Sequence, residues 1–388
     1  YKYFILFGGD DVSGNRSKSW NKHNCYYYCA AGLPLSCLNQ EYFVHFVSSS
    51  QHAGPLEQVA AITERLQTVK DTGLICYDAL EAERGSGRAE SLLLLDLFVG
   101  TGDGPWQSEL SSHSGDGCPC RFCRMGGNVM TRSSNEGFLA IMQMGPPRTP
   151  GSTLELLRKD LDMATVSRKG TALEKVQQAT GTVDALTQTV IDTLVEKGKA
   201  MFEETNTDGS KRYTAAQIHT LLSEERTRIL SQGEFMNSLL RDDVFDPHQD
   251  TALGRLHLVL LGFTKYFWAA SLPPSSRKLT ITEKGQLDNA EAVLQSLSQA
   301  GLGDQSVRAD YVMRYRGSLV GRHLHSIAQL GVFIFGRHVD MVLLEVWVTL
   351  GRLSAALFTE TIKDMTTFIV SFLSICDIYH TDIQYRRL

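Results

Sequence analysis

Near residue 150 the hydrophobic period of this chain changes, and that change limits what it can fold into. Before it, short apolar and β-prone runs recur: YFILFGG at 3–9, CYYYCAA at 25–31, YFVHFVS at 42–48, a short run at 74–79 and SLLLLDLFV at 91–99. Continuous apolar runs of this length, closed by glycine and aspartate, are what fully buried strands look like. One helix interrupts them at 54–70, where Leu56, Val59, Ala60, Ile62, Leu66 and Val69 share one helical face. Beyond 150 the pattern is helical over 152–165, 171–202, 213–230, 232–240, 251–270, 283–300, 307–330 and 339–377, with breakers such as Pro273-Pro274 between them. The expected architecture is an α/β core with a mixed sheet over 1–150, then a large all-α domain over 151–388.

The chain has 388 residues, enough for two domains, and its 43% hydrophobic content supports a real core. Lys plus Arg number 38 and Asp plus Glu 43, a net charge of −5 that excludes a basic nucleic-acid coat. No uncharged apolar run reaches the ~18 residues of a membrane span, so no membrane partner is expected. Of the 8 cysteines, three crowd into Cys118, Cys120 and Cys123, which argues for a reducing compartment and against a secreted disulfide framework. The chain opens on Tyr1 inside a strand-like run and ends at Leu388 without a compositional stop, so it reads as a piece of a longer protein.

Chemistry concentrates at two places. Asp10 and Asp11 close the first run, and Asp103 follows the run at 91–99. If these strands lie side by side, their ends bring carboxylates together, and such hard oxygen ligands suit two Mg²⁺ or Mn²⁺ ions acting on a phosphodiester. That is a ribonuclease-H-like arrangement; aspartate after a strand also simply caps turns. Arg16, Lys18 and Lys22 follow directly and could hold a DNA backbone or form a solvated loop. The second place is the polar, Cys-rich stretch 107–137, where His113, Cys118, Cys120 and Cys123 have the spacing of a zinc knuckle. Two further features read as ordinary structure. The segment 204–209 imitates a calcium loop but has Ala215 where a bidentate glutamate is needed, and His257 sits among leucines as a buried core histidine.

Several blocks, taken in order, resemble one family, the Plavaka transposases of fungal DNA transposons, related to the CACTA-type elements. They are GDDVSGNRSKSWNKH at 9–23, QEYFVHFVSSS at 40–50, GDGPWQSELSSH at 102–113, CRFCRMGG at 120–127, FDPHQDTALGRLHLVLLGFTKYFW at 245–268 and YRGSLVGRHLHSIAQ at 315–329. The resemblance implies a ribonuclease-H-like core with a helical insertion, and a DNA transposase that cleaves and transfers strands of transposon-end DNA. It implies Asp10 or Asp11, with Asp103, as the first two metal-binding acids, a zinc-binding role for the CRFC block, and nuclear localisation; a homo-oligomer is a further candidate partner, though the sequence does not give the oligomeric state. Two departures stand out. Ala252 and Gly254 replace the family's proline and glutamate, and the run Gly102-Asp103-Gly104-Pro105 has glycine where asparagine is usual. The family's third acid falls after the insertion, so an incomplete site is expected here, and the alternative is a catalytically inactive transposon-derived DNA- or protein-binding module.

Overall fold

The computed structural model describes residues 2–13, 22–85, 87, 90–114, 118, 120–126, 130, 133–141, 143–166, 170–233, 235–302, 306–336 and 338–385. The chain forms two compact units, Tyr1–Ala252 and Leu253–Leu388, whereas the sequence pattern suggested a boundary near 150.

The first unit is built on a curled mixed sheet, half of a barrel. Its strands are β1 (Lys2–Ser13), β2 (Lys22–Ala30), β3 (His45–Ser50), β4 (Leu74–Tyr77) and β5 (Glu90–Thr101), in the order β3-β2-β1-β5-β4. β1 is central: it runs antiparallel to β2 and parallel to β5. A parallel pair needs a crossover, and this connection carries the Pro55–Thr72 helix. Pro55 suits the first turn, where an N–H would be orphaned, and the Glu57 carboxylate accepts the Gly54 N–H at 2.7 Å. The helix ends at Gly73, whose φ of 73° favours glycine; a Cβ there would also lie 2.5 Å from Leu92.

One side of the sheet is covered. Ile5, Phe7, Tyr26 and Leu97 pack against Leu56 and Val59 of the crossover helix and against Trp106, Leu110, Leu239 and Phe245. Tyr26 stacks on Phe7 at 5.2 Å between ring centres. Side chains alternate along a strand, so the neighbours of these residues face away. There, Phe4 pairs with Phe98 at 5.7 Å and Tyr27 with Phe46 at 6.0 Å. Phe98 and Phe46 are 53% and 62% exposed, and Ile75 and Tyr77 on edge strand β4 are 68% and 72% exposed, so these residues lack a covering layer.

The sheet corrects several boundaries. β1 does not stop at residue 9; its pairing with β2 carries it through Asp10 and Asp11 to Ser13. The helix expected over 171–202 is two, Gly170–Thr180 and Ala185–Glu203, because Gly181 turns the chain with φ 61° and Asp184 starts a new helix by accepting the Thr187 N–H at 2.8 Å. With Pro150–Ala164 and Ala215–Leu230 they enclose a core around Leu157, Leu194 and Leu222. The segment 204–211 is the expected polar turn: Thr205 bridges Lys211, and Asp208 accepts from Ser210.

The second unit is helical, with a core of Trp268, Leu324, Ile327, Phe335 and Trp347. Gly331 permits the closest approach, since a Cβ there would be 2.2 Å from the Trp347 ring. The segment Arg255–Thr264 is a π-helix, and only Val259, Leu260 and Thr264 of it are buried. His257 is therefore exposed, which corrects its reading as a core histidine. Among the described residues no helix is long and apolar enough to cross a membrane.

Candidate functional site

The ends of β1 and β5 do meet. Gly8 is the last residue of β1 paired with β5, opposite Thr101, and Asp10 and Asp103 each follow two residues later. A tryptophan sets how closely they approach. Trp106 is 6% exposed and lies over both strand ends: a Cβ on Gly9 would be 2.2 Å from its Nε1, and one on Gly102 would be 2.5 Å from its ring. Only glycine fits beneath the indole at either position.

The carboxylates at this junction are committed differently. Asp103 begins the short Gly104–Leu110 helix, and its Oδ1 accepts the Trp106 N–H at 2.9 Å, satisfying one orphaned donor of the first turn. Asp10 and Asp11 are exposed, paired across the hairpin with Cys25 and Asn24, and as neighbours on one strand they point to opposite faces. Asp96, in the middle of β5, is 3% exposed and spoken for: Lys70 lies 2.9 Å from one oxygen and Lys2 3.1 Å from the other. Burial alone would raise its pKa, but the two ammonium groups outweigh burial and lower it.

Among the described residues no three His, Cys, Asp or Glu side chains gather into a group that could hold a metal ion. This overturns the expected two-ion site of Mg²⁺ or Mn²⁺ on Asp10, Asp11 and Asp103, and with it the expectation of an active DNA-cleaving and strand-transferring transposase. The physical reason lies in the carboxylates themselves: one caps a helix, two diverge across a strand, and the next acid on β5 neutralises lysines. Of the basic residues expected at the DNA backbone, Arg16 and Lys18 lie outside the described residues. Lys22 opens β2 opposite Ser13, and its side chain is likewise outside the description.

The same finding removes the structural zinc. His113 is 7% exposed, and its Nε2 lies 2.7 Å from the carbonyl oxygen of Cys118. Burial depresses its pKa, assisted by the charges of Arg148 and Arg121. The Cys118 thiol is directed at two carbonyls, Ala179 at 3.5 Å and Arg124 at 3.8 Å. Cys120 and Cys123 face each other, with their sulfurs 3.3 Å apart. The knuckle spacing is present, but its ligands are spent on three separate interactions.

Two buried arginines organise this region, and composition and spacing gave no sign of them. Arg148 is 2% exposed and makes four contacts: Nε donates to the carbonyls of Cys120 (3.1 Å) and Cys123 (3.2 Å), Nη2 to Thr180 O (2.8 Å) and Nη1 to Thr182 Oγ1 (3.2 Å). Arg121 donates to Gln107 Oε1 at 2.9 Å and to Thr251 O at 3.3 Å, and stacks on Phe122. Burial lowers its pKa to about 10, so it stays charged at neutral pH. Gln107 in turn donates to the carbonyl of Ala252. The segment before Ala252 prolongs the edge of β5: the Gly100 N–H donates to Asp250 O and the Ala252 N–H to Gly100 O. His248 within it is fully buried against Thr153 at 2.9 Å, and burial, with Arg148 nearby, lowers its pKa to about 4. Residues from GDGPWQ, CRFC and FDPHQDT thus meet at the end of β5.

No model of a known protein family matches the chain, and a search of curated proteins finds no match.

Proposed function

We propose that this chain is a catalytically inactive module of transposase descent that binds a protein partner through the uncovered side of its sheet. The observation that carries the reading is that side itself. Phe46 on β3, Ile75 and Tyr77 on β4, and Leu92 and Phe98 on β5 stand exposed, while the opposite side has a full apolar core. Exposed apolar surface of this kind marks interaction sites. A net charge of −5 favours a protein over a polyphosphate partner.

Descent from a Plavaka-like transposase is part of the proposal. The six ordered sequence blocks support it, as does the junction where three of them meet. The ribonuclease-H-like form of the core belongs here too, supported by a central β1 antiparallel to β2 and parallel to β5. A nuclear location goes with that descent, and self-association is proposed alongside it.

Proximity labelling in cells, comparing the wild type with Phe98→Asp and Ile75→Asp, tests the reading. Loss of a shared set of protein neighbours in both variants is the expected result. An unchanged set contradicts it. Salt-dependent binding of duplex DNA by the wild type, unaffected by either substitution, would replace the protein partner with DNA.

A further inference from the structure

The Cys120–Cys123 pair is built more carefully than a loop of stray thiols. The sulfurs are 3.3 Å apart and hydrogen-bonded, with only Arg121 and Phe122 between them in the chain. The loop is pinned at its Cys123 end by an antiparallel bridge, Cys123 opposite Pro147, with Arg124 N–H on Pro146 O at 2.8 Å and Arg148 N–H on Phe122 O at 2.9 Å. From below, one guanidinium nitrogen, Arg148 Nε, holds the carbonyls of both cysteines. Cys118 is turned away onto its own carbonyl acceptors. Cys25 lies on another element, 3.2 Å from Ser49 Oγ. Among the cysteines whose side chains are described, Cys25, Cys29, Cys37, Cys76, Cys118, Cys120 and Cys123, all are free and no other two thiols are in hydrogen-bond contact.

We propose that Cys120 and Cys123 are a reversible dithiol–disulfide pair, oxidised by small-molecule disulfides. A disulfide needs the sulfurs at about 2.05 Å, so closure requires them to approach by roughly 1.3 Å, within the reach of side-chain rotation in a four-residue loop. Exposure sets the order of events. Cys120 is half-buried whereas Cys123 is 4% exposed, so Cys120 is the thiol an outside reagent can meet. The Cys120 thiolate attacks one sulfur of the reagent RSSR, forming a mixed disulfide and releasing RS⁻, which takes up the proton lost by Cys120. The Cys123 thiolate then attacks the Cys120 sulfur, forming the internal bond and expelling the second RS⁻, which takes up the Cys123 proton. In sum, the two protein thiols and RSSR become one protein disulfide and two RSH, a two-electron oxidation of the protein balanced by reduction of the reagent. Cys123 Sγ already lies 3.3 Å from the sulfur it attacks, and Arg148 Nε holds the carbonyls of both cysteines.

The sequence supplies a clean readout. Trypsin cuts after Arg88, Arg121 and Arg124, so a Cys120–Cys123 bond joins the peptide 89–121 to the peptide 122–124, and reduction separates them. The full chain is equilibrated in glutathione buffers from reduced to oxidised, acid-quenched, alkylated and digested. The expected result is a joined species, two hydrogens lighter than the separate peptides, that rises with the oxidised fraction and disappears when dithiothreitol is added before quenching. It persists in Cys118→Ser. In Cys123→Ser it is replaced by glutathione held on Cys120. Three results overturn the proposal: separate, fully alkylated peptides at every ratio in the wild type, loss of the joined species in Cys118→Ser, or one zinc per chain protecting both thiols from alkylation.

Discussion

Replacing Lys70 with methionine probes the most heavily loaded charge in the first unit. Lys70 reaches from the end of the crossover helix to Asp96 at 2.9 Å, and also lies 3.3 Å from Asp242 and 3.4 Å from Asp243. The Asp96 side chain is only 4% exposed, so its charge cannot turn to water when the partner is removed. Breaking a buried pair from one side costs about 3–5 kcal/mol. Lys2 remains on the other oxygen, but its side chain is 58% exposed and screened, which brings the expected cost to roughly 2–4 kcal/mol. The sign with pH follows from Asp96. Its folded pKa is lowered, so its contribution is present above the unfolded value of 3.8 and is lost as pH falls through the folded value. Without Lys70, burial has less opposing it and the Asp96 pKa rises. The deficit of Lys70→Met should therefore be largest near neutral pH and shrink as Asp96 takes up a proton. Urea-dependent hydrogen exchange of β5 amides, at pH 7 and again at mildly acidic pH, measures both. The double variant Lys70→Met/Asp96→Leu should recover most of the loss, because the buried orphan is gone. A deficit that is the same at both pH values, or that Asp96→Leu does not relieve, would refute the reasoning.

Four further outcomes are expected. Gly9→Ala places a methyl 2.2 Å from the indole nitrogen of Trp106, and should cost about 1–3 kcal/mol with a shift in tryptophan emission, whereas Gly104→Ala, with nothing within 4 Å, should leave that emission unchanged. Asp103→Ala removes a helix cap and should cost about 1 kcal/mol in urea unfolding, while Asp103→Asn, which can cap equally well, should stay within a few tenths. Asp160 is 1% exposed and burial raises its pKa to about 6, so ionising it costs stability as pH rises from 3.8 through that value. Asp160→Asn should therefore be more stable by on the order of 2 kcal/mol above pH ~7, an advantage that disappears below pH ~4 in thermal melts. Arg148→Met leaves the carbonyls of Cys120, Cys123 and Thr180 without their donor and should speed alkylation of Cys123 at least several-fold, with an unchanged rate contradicting its role under the loop.

What could be read in the sequence was whatever depends on local pattern. The apolar runs at 3–9 and 91–99 found β1 and β5, and the carboxylates after them do end up two residues beyond a paired position. The crossover helix was legible from its periodicity, and Glu57 and Pro55 agree with it. The misses share a cause: they depend on partners far away in the chain. β1 runs on to Ser13 only because β2 is there to pair with it. His257 was misjudged because a π-helix puts a different set of residues on one face than an α-helix does. The CRFC spacing was genuine, but spacing cannot reveal that Cys118 would turn to Ala179 or that Arg148, 25 residues after Cys123, would claim both carbonyls of the loop. Gly181 offered a hint that was missed, since it lies inside the apparent long helix; a Cβ there would be 2.6 Å from Cys118 Cβ.

The decisive measurement concerns the acidic ends of β1 and β5. Free Mn²⁺ is followed by electron paramagnetic resonance as the chain is titrated, and the same samples are incubated with supercoiled DNA. Weak, non-saturating Mn²⁺ association is expected, with no nicking in the wild type or in Asp103→Asn. A saturable stoichiometric site, with nicking that Asp103→Asn abolishes, would contradict the non-catalytic reading.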